Sequence, residues 1–578
     1  GYFFVQKGST VSAAEISGTE FENYNSDATV DNEAKTITLT YSAYVPVVDD
    51  EAVPQTLWAS STSPKNDGTA PSYRIPGIVR TGDGSLLAVG DHRYNLDDIG
   101  NSSGSTYSKI ELVCRRSTDE GQTWTSSQVL STNSTSTSAW NYATGDAAVV
   151  ADRESGEVLV YCASGIVGMG SSTASNPIKV GCFRSHDNGQ TWDSGTNVTT
   201  SMYGLYNGKA TAMFITSGSM LQSRYVKVGD YYRIYAAFPV RTSDQGNGTG
   251  VMYSDDFGST WQLLGGTTLP NGSVYEEAHV AELPDGSIVL MVRDDSGASK
   301  DSSSTTLANG HKNFNIFTFT DSANGDGYWD TAASGITGMN NATNNQVLIV
   351  PAVRNSDSKQ VYVAVLAMPT HTTGTQDSTN NYGRKNMTFF YKEVEDADDY
   401  ISGSALAAGW AKGLQVSSDF SAYSDLLLLN NDYIGLFYEG NGRHGTGLNG
   451  NAQTECYDLI FSSYSLENIT KRKYYVDRTF TDRTGYFDSS LEARVDGVIG
   501  KAVGMIGDNY AYYNGEKTQE KMEEIQYDNY NNTLQVNEII EDRPYYIRST
   551  QTTFGGVERG TTFLSTDRSK LIASHKEA

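Results

Sequence analysis

The chain is predicted to be an all-β protein, a six-bladed β-propeller with short extensions at both ends, from three observations. An Asp-box phrase recurs as STDEGQTW at 117–124, SHDNGQTW at 185–192 and SDDFGSTW at 254–261. Trp124, Trp192 and Trp261 lie 68 and 69 residues apart, and Trp329 follows 68 residues later at the end of a worn copy, TDSANGDGYW. Helical periodicity is almost absent between the boxes. A stretch of roughly 420 residues with a 70-residue period holds about six units, and radial repetition is how such sheets avoid long open edges. Solenoid repeats, at about 20 to 45 residues, are too short for this period.

In chain order, residues 1–54 carry one alternating stretch, AKTITLTYSAYVPV, and then the acidic VVDDEAVPQ, which read as a terminal strand and a linker. Residues 55–475 form the repeating domain. Its segments IELVCRRS and IKVGCFRS are short, β-branched and bounded by Gly, Asn, Asp and Ser, the pattern of strands joined by turns. Within each box the Ser and Asp side chains can bond nearby amides and the Gly can take a positive φ. The box Trp is expected to pack on the sheet beneath. Three interchangeable copies mark the box as structural, since a catalytic centre is not normally triplicated. A fifth copy near Tyr400 has lost the serine and glycine. Residues 476–578 form an extension in which GEKTQEKMEEIQYDN reads as a helix and DRPYYIRSTQTTF as strand.

Composition narrows the function classes. Hydrophobic content of 38% with 11% aromatics supports a packed core, and no run is long and apolar enough to span a bilayer. A formal charge of -26, from 42 basic and 68 acidic residues, argues against nucleic acid as a partner. The four cysteines lack the paired spacing of a zinc site and read as buried thiols. The start, GYFFVQKGST, reads as a processed boundary, and the low cysteine content with abundant Asn, Tyr, Ser and Thr fits an exported bacterial enzyme.

Three arginines stand in unusual settings. Arg74 lies in SYRIPG, where Pro76 restrains the chain just beyond it. Arg293 ends the apolar strand SIVLMVRDD, and Arg384 in YGRKNMTFFY precedes another apolar stretch. YRIPG followed by several S-x-D-x-G-x-x-W boxes resembles the exo-sialidases (neuraminidases) of glycoside hydrolase family 33, bacterial type, whose fold is a six-bladed propeller. The resemblance covers residues 55–475, ending at IFSSYSLENIT, and leaves both termini outside it.

That resemblance implies a set of roles. Arg74, Arg293 and Arg384 match the three arginines that grip the carboxylate of sialic acid; a guanidinium presents a planar fork to a carboxylate and keeps its charge when partly buried. Glu439 in YIGLFYEGN matches the glutamate behind the first arginine. Tyr423 in SAYSDLLLL matches the tyrosine nucleophile, whose neutrality until deprotonation avoids repulsion by the substrate's own carboxylate. Its base is expected in VYEEAHVAEL. Glu276 and Glu277 would face opposite sides of a strand, and the family's spacing before Glu282 and Leu283 selects Glu277. In LLAVGDHRYNLDDIGNSS the general acid matches Asp98, with Asp97 as the alternative, since a loop offers no parity to separate them. Arg93 and Asp146 match residues that contact the sugar near its C4 hydroxyl.

The expected activity is hydrolysis of terminal α-linked sialic acid with retention of configuration, by a monomeric, secreted or cell-surface bacterial enzyme acting on sialylated glycans, glycoproteins or glycolipids. No metal or organic cofactor is implied, and no membrane insertion. Trans-sialidation, intermolecular or intramolecular, would use the same residues. A sialic-acid-binding lectin would keep the arginines but lose Tyr423, Glu277 or Asp98, all of which are present.

Overall fold

The structure is a computed structural model. It describes residues 54–477, apart from 62–68, 95, 131, 271–275, 294–311, 331–333, 336–342, 371–383, 396–398 and 447–451, together with strands outside that range. Tertiary contacts divide the chain into Gly1–Val53 and Pro54–Ala578. The first unit contains a hairpin of Ser26–Asp31 with Thr36–Tyr41, where the alternating stretch was expected to form strand.

In the second unit the strands run as successive antiparallel meanders. The first is Ser72–Arg80, Leu86–Arg93, Ile110–Ser117 and Gln128–Val129. The second is Thr144–Ala151, Val158–Ser164, Lys179–Ser185 and Thr196–Asn197. The third is Ala210–Met213, Tyr231–Thr242, Gly246–Ser254 and Gln262–Leu263. Ala278–Glu282, Ile288–Arg293, Lys312–Asp321 and Asp326–Trp329 form the fourth. Val347–Arg354, Lys359–Pro369, Met387–Glu393 and Ala411–Gln415 form the fifth. In the last, Ser424–Leu428, Tyr433–Thr446 and Ala452–Ser465 are completed by Gln55–Trp58 from the opposite end of the unit. Tyr457 pairs with Tyr73, linking this last meander to the first.

Because side chains alternate between the two faces of a strand, each meander buries both faces against neighbours. Apolar clusters therefore sit between consecutive meanders. Val79, Leu87 and Val89 meet Val149 and Val160 between the first and second. Leu436 and Ile434 meet Val363 and Phe389 between the fifth and last. Leu57, Trp58, Phe437 and Phe461 meet Ile78, Leu86 and Ala88, so the last meander also packs on the first. Cys114, Cys162, Cys182 and Cys456 are buried and free.

The boxes have the expected internal chemistry. Ser117 Oγ donates to Asp119 Oδ1 (2.8 Å) and accepts from Gly121 N (2.8 Å), while Asp119 accepts from Thr123 N (2.8 Å) and Thr123 Oγ1 (2.6 Å). The same bonds recur at Ser185–Asp187–Thr191 and Ser254–Asp256–Thr260. Box glycines have positive φ, +87° at Gly121 and +77° at Gly258, and lie so close to Phe461 and Leu159 that a Cβ would overlap them. Phe461 belongs to the last meander, which packs on the first, and Leu159 to the second, which precedes the third. The tryptophans follow the same course rather than packing only on their own sheet: Trp124 meets Phe461 edge-on, and Trp261 meets Tyr161 and donates to its hydroxyl (2.7 Å). A tight turn with a glycine at its apex brings the chain onto the neighbour, so the boxes at 117–124 and 254–261 each fasten their own meander to an adjacent one.

The C-terminal segment expected as a helix departs from that expectation where it is described. Ile525–Asp528 is a strand paired with Thr533–Val536, in keeping with a sequence in which Ile525 and Tyr527 alternate with polar residues; the rest of 515–529 lies outside the described residues.

Candidate active site

Arg74 occupies an irregular part of its strand, where the register shifts between Arg74 and Gly77. Ile75 has φ +63°, a strained conformation for a β-branched residue. The strain turns the Ile75 N–H toward Glu439, which is fully buried. Glu439 accepts from Arg74 Nε (2.7 Å), Arg74 Nη2 (3.1 Å), Ile75 N (2.8 Å) and Tyr423 N (3.2 Å). One carboxylate thus aligns the arginine and the backbone of the tyrosine. Asp425, two residues on, is also fully buried, and burial pushes its carboxyl up to about 7 although Ile78 N and Ser219 Oγ donate to it.

Arg293 emerges at the end of Ile288–Arg293 and donates from Nη1 to Glu277 Oε2 (2.6 Å) and to the Tyr423 hydroxyl (2.9 Å). Tyr423 in turn donates to Glu277 Oε2 at 2.5 Å. The guanidinium carbons of Arg74 and Arg384 lie 5.1 and 5.7 Å from the centre of the Tyr423 ring. Burial raises the Tyr423 phenol well above its usual range and the Glu277 charge adds to this, while Arg293, Arg384 and Arg74 oppose it. The resting phenol is therefore neutral and hydrogen-bonded to a carboxylate.

A second group surrounds Arg93, which is 1% exposed. Its guanidinium meets Asp91 (3.0 Å), Asp98 (3.0 Å) and Asp146 (3.6 Å). Asp91 accepts from Arg93 Nε and Nη2 through Oδ2, and from Asp146 N through Oδ1 (2.9 Å). Burial raises the Asp91 carboxyl to about 6, and burial together with Asp98 and Asp91 raises that of Asp146. Asp146 has φ +58°, which the short polar side chain tolerates.

Both groups open on one cavity of about 330 Å³, lined by Arg74, Arg93, Asp98, Asp146, Glu277, Arg293, Arg384 and Tyr423. Glu439 stands behind it. Asp98 is 59% exposed in its side chain and faces the cavity, whereas Asp97 is buried and absent from the lining. Glu276 and Glu277 both line the cavity, against the expectation that only one could. Parity does not apply to them because the strand begins at Ala278; Glu277 alone reaches the tyrosine, and Glu276 lies 3.8 Å from Arg293 Nε. Asp91 was missed by the sequence reading, although LLAVGDHR places it two residues before Arg93 and so on the same face of a strand. Also missed was the apolar side of the cavity, Ile99, Met169, Ile178 and Phe214. Among the described residues no group of His, Cys, Asp and Glu is arranged to hold a metal ion.

The arrangement defines a β-repeat protein whose cavity pairs an arginine cluster, suited to an anion, with a tyrosine and carboxylates suited to proton transfer. Residues 102–393, just over half of the chain, match the family model of the BNR repeat-like domain, and the chain belongs to that family. It is 27% identical over 277 residues to a sialidase of Bacteroides fragilis (strain YCH46), covering 45% of this chain and 46% of that protein. It is 31% identical over 233 residues to a sialidase of Micromonospora viridifaciens, covering 39% and 33%. The chain thus spans half or less of the length of these relatives. Its fold is similar to that of a leech intramolecular trans-sialidase complexed with 2,7-anhydro-Neu5Ac, with a TM-score of 0.50 and 15% identity over 75% of this chain and 74% of that one. The family model and the two sialidase relatives support the bacterial-type sialidase assignment that the motifs implied, whereas the leech structure bears on the fold alone.

Proposed function

We propose that the chain is a retaining exo-α-sialidase whose catalytic domain, residues 55–475, is a six-bladed propeller formed by the meanders described above. The observation that carries the reading is the 2.5 Å hydrogen bond from the Tyr423 hydroxyl to Glu277 beneath three arginines. A neutral phenol bonded to a carboxylate is a nucleophile with its base in place. In this reading Arg74, Arg293 and Arg384 hold the substrate carboxylate. Tyr423 attacks C2 as its proton passes to Glu277, and Asp98 protonates the departing glycosidic oxygen. Asp98 then takes a proton from water, which attacks C2 and cleaves the tyrosyl-sugar bond while Glu277 returns its proton to the departing Tyr423 oxygen, so the configuration at C2 is restored. Arg93 and Asp146, aligned by Asp91, contact the sugar. Sialylated glycans are the proposed substrates, taken by a monomer outside the cell. Among the described residues no helix is long and apolar enough to cross a membrane.

Three measurements test this. NMR of products from a sialyllactose should show free sialic acid; an anhydro sugar or a new sialoside would assign the same residues to transfer. A 2,3-difluoro sialic acid should label one tyrosine, located by mass spectrometry, and a label elsewhere would remove Tyr423 as nucleophile. Asp98→Ala should lower kcat on natural sialosides by about 10²- to 10⁴-fold and far less on an activated aryl sialoside. Equal loss on both would place the acid elsewhere.

A further inference from the structure

Glu277, Arg293 and Lys312 lie in one row across the fourth meander. The Arg293 amide donates to Glu277 O (2.9 Å), and Arg293 pairs directly with Lys312 on the next strand. Residues opposite one another in an antiparallel pair project to the same face. Arg293 reaches the cavity. Lys312, only 1% exposed, instead donates from its ammonium to Thr343 O and to Asn345 Oδ1 (2.9 Å).

Asn345 links this lysine to the nucleophile's strand. Its Oδ1 also accepts from Thr343 Oγ1 (2.6 Å), while Nδ2 donates to Ser424 Oγ (2.9 Å) and Ala422 O (3.4 Å). Ala422 and Ser424 are the two chain neighbours of Tyr423, and Asn345 bridges Ser424 through the backbone as well. An ammonium has donors and no acceptor. It therefore holds the carbonyl end of the Asn345 amide toward itself and the NH₂ end toward Ala422 and Ser424. Reversing that amide would set Oδ1 against Ala422 O, acceptor against acceptor. A buried donor thus sets which end of the Asn345 amide reaches the two neighbours of Tyr423, adding to the backbone bonds that Ala422 and Ser424 make to Glu439 O and Asn344 O.

We propose that Lys312 and Asn345 are positioning residues for the nucleophile: Lys312 orients the Asn345 amide, and that amide holds Ala422 and Ser424 so that the Tyr423 hydroxyl meets Glu277. The inference rests on the reading of Tyr423 as nucleophile. Displacement of a reacting group by about 1 Å costs roughly 100-fold in rate, so the effect belongs in kcat.

The experiment compares Lys312→Met with Lys312→Gln in the full chain. The two side chains are near in length and both uncharged, but only glutamine retains N–H donors for Asn345. Lys312→Met should lower kcat on an aryl sialoside by about tenfold or more with KM within about twofold of wild type, and Lys312→Gln should restore most of it. Equal loss in both variants would assign Lys312 to charge or packing, and equal retention would remove it from the mechanism; either overturns the proposal. Ser424→Ala, which deletes one Asn345 acceptor without touching a buried charge, covers the case in which the lysine variants do not fold. It should lower kcat several-fold at unchanged KM, and an unchanged kcat overturns the brace. The Tyr423 ring signal in tyrosine-labelled protein, assigned with Tyr423→Phe, supplies a readout independent of turnover. It should move in Lys312→Met and not in Lys312→Gln, and the reverse or no movement contradicts the proposal. Inactivity of the wild type on every sialoside would instead refute the assigned function and leave the NMR comparison to judge the brace.

Discussion

Replacing Glu439 with glutamine should cost about 3 to 5 kcal/mol of stability. Each carboxylate oxygen accepts two hydrogen bonds: Oε1 from Arg74 Nε and Ile75 N, Oε2 from Arg74 Nη2 and Tyr423 N. Glutamine can keep the first pair through its carbonyl. Its NH₂ would then face the other two donors, N–H against N–H, with Glu439 and Arg74 both buried. Two lost bonds, one of them to a charged group at about 1.5 to 3 kcal/mol and one near 1 kcal/mol, together with the loss of the negative charge beside Arg74, give about 3 to 5 kcal/mol, the range for breaking a buried ion pair. Tryptophan fluorescence during urea unfolding is a suitable assay, because all seven tryptophans lie between positions 58 and 410. The variant should also lose turnover, since the Tyr423 amide loses its acceptor. A change below about 1 kcal/mol would refute the argument that Glu439 compensates Arg74.

Other outcomes follow from the same geometry. Arg384→Lys should raise KM about 10- to 100-fold, the loss of one charge-assisted bond from a fork that an ammonium cannot reproduce; near-normal kinetics would take Arg384 out of the substrate site. Trp261→Ala should destabilise by about 3 to 5 kcal/mol, because the ring is buried against Tyr161, while protein that still folds keeps its kcat. Selective loss of turnover at full stability would give the box a catalytic role. For Asp425 the folded carboxyl titrates near 7 through burial, above the ordinary 3.8. Between those values the folded state holds a proton that the unfolded state has released, so this group's contribution to stability falls as pH rises from about 4 to 7. Asp425→Asn should remove that part of the slope, measured as the difference in Tm between pH 4.5 and 7.5; an unchanged slope would show that Asp425 is ionised in the folded protein throughout.

The sequence by itself determined what depends on near neighbours along the chain. A Ser-x-Asp-x-Gly-x-x-Trp box can be read from the letters because Ser117, Asp119, Gly121 and Thr123 satisfy one another within seven residues, and the strands because a period of two needs no partner to be seen. The arginines, Tyr423, Glu277 and Asp98 were legible through motif phrases, which name a residue without saying what it touches. Tertiary structure decided those contacts. Arg74 meets Glu439 across 365 positions and Tyr423 meets Glu277 across 146, pairings that exist only once the meanders are packed side by side. Folding also decided that Glu276 and Glu277 share the cavity, since both precede the strand whose parity would have separated them. Lys312 and Asn345 carry no motif at all. In the sequence they are an ordinary lysine and an ordinary asparagine, and only burial beside Ala422 and Ser424 gives the direction of their hydrogen bonds a consequence.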